Sequence, residues 1–170
     1  MIKNVQNVGS YHQNTPMDIG SYITGFVDGE GCFCISFSQR AKFKTGLEVR
    51  PSFSISQNKR SLKALQSVQE YFQCGGLRYS KKDQTYKYEV RSLRDLRKYV
   101  IPHFEKYPLQ TSKSADFKIF AWICRQIAAS KHLNRDFLEE IIEQAYQMNG
   151  SGKRKYTKTK LLQVLGKMKI

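Results

Sequence analysis

A chain of 170 residues, 40% of them hydrophobic, is long enough for one domain with a substantial core. Its 29 Lys and Arg against 14 Asp and Glu leave a formal charge of +15, which implies an anionic partner, nucleic acid before an acidic membrane surface. No apolar stretch reaches membrane-spanning length. The four cysteines (Cys32, Cys34, Cys74, Cys124) and three histidines (His12, His103, His132) lack metal-ligand spacing, so they read as reduced thiols and ordinary imidazoles rather than a zinc site.

Residues 1–17 are polar and patternless and read as a flexible N-terminal arm, with the features of neither a secretory signal nor a transit peptide. Asp18 can N-cap a helix from Ile19. Along it Gly20, Ser21, Thr24, Gly25 and Asp28 recur at three- and four-residue spacing, giving one small face opposite the greasy Ile23, Phe26 and Val27. Each interior glycine costs a helix about 1 kcal/mol against alanine. Close approach of a second helix would offset that cost. Gly29 and Gly31 end the helix, bracketing Glu30 in a chain that has few acids to place.

Cys32–Arg40 and Leu47–Gln57 alternate as strands, with Phe33, Ile35, Phe37, Leu47, Val49, Phe53 and Ile55 inward. Pro51 predicts a bulge or an edge position. Lys59–Phe72 reads as a helix, Leu77–Ser80 and Thr85–Val90 as a second hairpin around "KKDQ". Three helices follow at Ser92–Val100, Ser112–Ala129 and Asn134–Met148. The stretch 18–150 is thus one domain, and 151–170 a basic segment with a short helix at Lys158–Lys167. "GSGK" lacks the first glycine and the hydroxyl residue of a P-loop, so no nucleotide cofactor is expected.

Helix, hairpin, helix, hairpin, helices make an α+β fold: a four-stranded antiparallel sheet with helices on one face. The other face is left to Cys34, Ser36, Ser38, Arg40, Glu48, Arg50, Ser52, Ser54, Arg78, Ser80, Lys87, Glu89 and Arg91. An antiparallel sheet can simply be wet on one side. The mixture of arginine and short hydroxyls, together with the charge, favours a surface that reads double-stranded DNA.

"YITGFVDGEGCF", "SFSISQ", "HFEKYPLQTSKSADF" and "RKYT" resemble stretches of the LAGLIDADG homing endonucleases, in a likeness running from about Asp18 to Lys158. The resemblance implies an αββαββα fold whose sheet is a saddle on DNA. It implies that Glu30 (aspartate is commoner there) and the carbonyl of Gly29 hold Mg²⁺, that Gln57 lies near the attacking water, and that Lys113 lies near the cleaved strand, with Lys106 a rival. Asp28 is expected to be structural. Because only one acidic motif is present, the resemblance implies a C2 homodimer packed through Gly20, Ser21, Thr24, Gly25 and Asp28, each subunit reading half of a long pseudopalindrome. It also implies cleavage leaving short 3′ overhangs and an intron-encoded, organellar (mitochondrial) origin. The sheet residues named above, Glu89 aside, match its reading strands, while Arg60, Lys81, Lys82, Lys153, Arg154 and Lys155 would grip phosphates, making affinity steeply salt-dependent. The competing readings are a binder of the same fold that does not cut, such as an intron maturase, and a structural basic protein of a ribosome or nucleoid.

Overall fold

A computed structural model describes residues 17–150 and 152–167; the expected arm before Met17 lies outside them. Helix α1 spans Ile19–Glu30 and is capped as the sequence predicts: the Asp18 carboxylate accepts from the amides of Gly20 and Ser21 at 3.2 Å each. Strands β1 (Gly31–Gln39) and β2 (Leu47–Asn58) form a hairpin in unbroken register from Gly31↔Ile55 to Gln39↔Leu47. A short 3-10 turn, Lys59–Ser61, leads into α2 (Leu62–Phe72). The hairpin of β3 (Gly76–Ser80) and β4 (Thr85–Val90) joins the sheet through β4, giving the order β1-β2-β4-β3, antiparallel throughout. Pro51 sits in register opposite Ile35 with no bulge. Strand β4 pairs with β2 only from Phe53 onward, so on that flank Pro51 stands at an edge, where its missing N–H costs no ladder bond.

The inward row (Phe33, Ile35, Phe53, Ile55, Tyr88, Val90) is buried under α1, α2 and the later helices, with Phe33 stacked on Phe53 and edge-on to Phe104. Burying such aromatic side chains contributes roughly 2 kcal/mol each. Gly75 opens β3 at φ +77°, and a Cβ there would lie 2.8 Å from Tyr88 and Val90 side-chain atoms and 2.9 Å from the Glu89 carbonyl oxygen. Gly75→Ala is therefore expected to cost about 2–3 kcal/mol, from strain and overpacking together, read as a lower denaturant midpoint at unchanged slope.

One helix runs further than the sequence suggests. Instead of ending at Val100, the segment continues through α3 (Leu93–Asp95), a π-helical turn (Leu96–Val100) and α4 (Ile101–Lys106). Pro102 lacks an N–H and crowds the carbonyl a turn before it. The wider π turn ahead of it relieves that conflict without ending the helix. Burial of Leu96, Val100, Ile101 and Phe104 holds the continuation. Helices α5 (Lys113–Ala128), α6 (Arg135–Ala145) and α7 (Lys158–Lys167) complete the chain, and no described helix is long and apolar enough to cross a membrane.

Candidate active site

The site is built where α1 runs into β1. Glu30, the last residue of α1, is exposed, and Gly31 begins the edge strand. Gln57 lies two residues past Ile55, the partner of Gly31, at the same end of the sheet. Lys113, the first residue of α5, reaches the same place: its Nζ donates to the Val27 carbonyl at 2.9 Å, an oxygen that also accepts the Gly31 amide capping α1. The ammonium there offsets the negative end of a helix that has no basic residue in its own last turn. Lys106 is instead drawn to Tyr107, with its Nζ 5.1 Å from the ring centroid. The fold thus brings Glu30, Gln57 and Lys113 to one end of the sheet.

No group of three or more His, Cys, Asp or Glu capable of holding a metal occurs among the described residues. Among the described residues the Glu30 carboxylate makes no hydrogen bond or ion pair, and it lies beside helix-terminal carbonyls that have no intrahelical partner. A Cβ at Gly29 would meet nothing within 4 Å, so that backbone is open to approach. Few hard oxygens, with water and substrate oxygens completing the shell, fit Mg²⁺ and not zinc.

From this end the open sheet face extends as expected. Cys34, Ser38, Glu48, Ser52, Ser80 and Lys87 are half-buried, and Ser36, Arg40, Arg50, Arg78 and Arg91 are exposed. Its charges are already organised. Glu48 pairs with Arg40 at 3.1 Å and Arg50 at 3.9 Å, and Glu89 with Lys87 at 3.1 Å and Arg91 at 2.8 Å. Burial pushes the Glu89 carboxyl up, but hydrogen bonds and charge from Lys87 and Arg91 hold it below the usual carboxylate range. One expectation needs correction. Ser54 belongs to this face by register but is only 6% exposed between Cys32 and Glu89, so it is buried floor and not a contact. The half-exposed Arg154 guanidinium caps α6 through the Ala145 (2.6 Å) and Met148 (2.8 Å) carbonyls and lies over the Tyr146 ring. Cys32, two residues after Glu30, is exposed on this face too, where continuing the alternation of β1 back by two residues from Cys34 puts it.

The small stripe of α1 resolves into two. Gly20, Thr24 and Asp28 face their own chain. A Cβ on Gly20 would fall 2.4 Å from the Tyr107 ring, Thr24 donates to the Tyr107 carbonyl at 3.1 Å, and Asp28 accepts from Gln110 and Thr111. These three are therefore taken up internally and do not belong to a dimer surface. Ser21 and Gly25 remain exposed, and Gly25 is joined by Tyr22, Phe26 and Gly29 at helical spacing. Tyr22 and Phe26 stack at 6.2 Å, and Tyr22 is 40% exposed. That aromatic pair carried no small-residue signal in the sequence.

The internal stripe contains a pH-sensitive contact. Thr24 has one hydroxyl proton, given to a carbonyl, so His103 Nε2–H must donate to Thr24 Oγ1 (3.2 Å), leaving Nδ1 to accept from Tyr71 O–H (3.0 Å). Burial lowers the imidazole to about 4, against a small opposing pull from Asp18. The unfolded chain takes this proton near pH 6.5 and the folded chain only near 4, so stability is full above pH 6.5 and lost as pH falls toward 4, by about 3 kcal/mol. Denaturant midpoints at pH 7 and 5 are expected to diverge in the wild type and to converge in His103→Gln.

A four-stranded antiparallel sheet with helices on one face, and an open, basic, internally paired other face with an exposed acid at its rim, is the α+β arrangement this chain presents. A sequence profile of the LAGLIDADG endonuclease family matches residues 23–124, and the chain belongs to that family. It is 35% identical over 130 residues to "Probable intron-encoded endonuclease 2" of Neurospora crassa, covering 76% of this chain and 29% of that one. It superposes on the crystal structure of the homing endonuclease I-TnaI with a TM-score of 0.77 at 35% identity, over 88% of this chain and 97% of the other. It also superposes on the archaeal intron-encoded homing endonuclease I-Vdi141I in complex with DNA, with a TM-score of 0.81 at 26% identity, over 88% and 96%. The chain spans between 25% and 48% of the length of the curated relatives it matches.

Proposed function

We propose that this chain is a homing endonuclease that makes metal-dependent double-strand breaks, leaving short 3′ overhangs, in a long pseudopalindromic DNA target. The observation that carries this reading is Glu30, exposed at the tip of α1 and without a hydrogen bond or ion pair among the described residues, with Gln57 and Lys113 at the same end of a sheet whose open face is basic. The face contributes orientation: Arg40, Arg50, Arg78, Lys87 and Arg91 engage base edges and phosphates, with Glu48 and Glu89 able to accept from cytosine amino groups once their arginines turn to DNA. Glu30 and the Gly29 carbonyl would hold the ion, Gln57 would orient the attacking water by hydrogen bonding, and the Lys113 ammonium would offset the charge of the departing oxygen. Mg²⁺ held there supplies Lewis-acid stabilisation to phosphodiester hydrolysis.

Cutting both strands takes two such sites. We infer that the second comes from another copy of this chain, packed α1 to α1 through Ser21, Tyr22, Gly25, Phe26 and Gly29 in a C2 dimer. The intron-encoded relatives support an intron-encoded origin here, which we infer to be mitochondrial. The test is selection of cleaved targets from a randomised DNA library in Mg²⁺, followed by binding to the selected target in Ca²⁺. Breaks in Mg²⁺ with binding in both ions are expected. Specific binding without breaks would mark a non-cleaving binder, and binding without sequence preference a structural basic protein.

A further inference from the structure

Helix α1 ends with two acids, and the reading above uses only the second. Asp28 closes a ring of contacts instead. Its Oδ2 accepts from the Gln110 amide at 2.8 Å, and its Oδ1 from the Thr111 hydroxyl at 2.8 Å and the Thr111 amide at 3.3 Å. The Thr111 hydroxyl oxygen accepts in turn from the Lys113 amide at 3.3 Å. The Lys113 side chain returns to α1, 2.9 Å from the carbonyl of Val27, the residue before Asp28. Backbone, carboxylate, threonine and lysine thus form one closed loop at the helix tip, and the residues it joins lie far apart in sequence.

A carboxylate in the last turn of a helix opposes the helix dipole, so the placement disfavours the isolated helix. The loop compensates. The donors at Gln110 and Thr111 meet both carboxylate oxygens, and the Lys113 ammonium docks on the same helix tip. Lys113 needs the arrangement. Its side chain is long and rotamer-rich, and the turn clasped by Asp28 leads directly into the start of α5, from which Nζ reaches the Val27 carbonyl.

We propose that Asp28 is a positioning residue for strand cleavage, fixing the Gln110–Lys113 turn to the tip of α1 so that the Lys113 ammonium is held at a set distance from Glu30. The proposal rests on the reading of Glu30 and Lys113 given above. Asn in place of Asp28 keeps the shape but sets its amide group donor-to-donor against a backbone N–H, so the ring opens.

The measurement is single-turnover cleavage of the selected DNA target at saturating protein, with Kd taken in Ca²⁺. Asp28→Asn is expected to slow cleavage by about 10–100-fold with Kd changed less than about threefold. The double variant Asp28→Asn/Lys113→Met is expected to cut within about twofold of Lys113→Met alone, because residues acting as one unit are not additive. A residue that merely stabilised the fold would multiply with Lys113→Met. Wild-type cleavage by Asp28→Asn, or a double variant whose loss is the product of the two singles, would overturn the proposal. Thr111→Val, which keeps both amide donors, guards against misfolding of Asp28→Asn: it should slow cleavage in the same direction by a smaller factor, and an unchanged rate would also count against the proposal. Glu30→Gln is run in parallel, and a Glu30→Gln protein that still cuts would strike the active-site reading itself, whatever the Asp28–Lys113 coupling shows.

Discussion

Glu30→Gln is expected to abolish strand cleavage while leaving DNA binding intact. The substitution preserves size and keeps one oxygen, but a neutral amide is a poor ligand for a hard divalent ion and cannot anchor it alone. Lewis-acid stabilisation in such sites amounts to several kcal/mol, and each 1.36 kcal/mol is tenfold in rate, so the single-turnover rate should fall by about 10³-fold or more. Affinity should move the other way if at all. Glu30 is an exposed acid at the rim of a surface built to meet phosphates, and removing its charge relieves repulsion. Kd in Ca²⁺-free buffer should therefore stay level or tighten. A Glu30→Gln protein cutting within about tenfold of wild type would remove Glu30 from the ion site. Folding is not at stake, because the side chain makes no hydrogen bond within the described residues and α1 is capped by the Gly31 amide on Val27.

What the sequence made legible was whatever depends on period and punctuation. Alternation in Cys32–Arg40 and Leu47–Gln57 reports which side each residue faces, and the register bears it out from Gly31↔Ile55 to Gln39↔Leu47. Asp18 could be read as a cap because its reach is local. What failed depends on partners that periodicity cannot name. Gly20 and Gly25 look alike on a helical wheel, yet one abuts the Tyr107 ring and the other meets nothing. Arg154 sits in a run of basic residues, and nothing in that run shows that its guanidinium caps the carbonyls at the end of α6. Ser54 obeys the alternation and is still covered, since exposure depends on neighbours across three strands. The helix reads as ending at Val100, and only the burial of Ile101 and Phe104 beyond it explains why the chain continues past the π turn. At the site, Glu30 announced itself by its glycines. The clasp of Thr111 on Asp28 did not, because it joins residues more than eighty positions apart.

The split stripe of α1 gives the inferred dimer a sharp test, in which Gly25→Gln is expected to fold normally and fail to pair. Within one chain a Cβ at Gly25 meets nothing within 4 Å, and replacing a helix-interior glycine with glutamine favours the helix by up to about 1 kcal/mol, so thermal stability of the isolated chain should hold or rise. Between chains the same side chain stands where two backbones must approach. Overpacking costs about 1–3 kcal/mol, and a C2 interface counts it twice, so self-association should weaken by about 2–6 kcal/mol, roughly 30-fold to 10⁴-fold. Sedimentation at micromolar protein should then report one chain per particle in place of two, and breakage of both DNA strands should be lost with it. Gly20→Gln should behave oppositely, since its side chain collides with Tyr107 inside the subunit, lowering stability before any partner is met. The inferred interface therefore predicts a crossed pattern: the exposed glycine controls association and the covered one controls folding. A Gly25→Gln protein that still sediments as a pair and cuts both strands would move the contact to another face of the molecule.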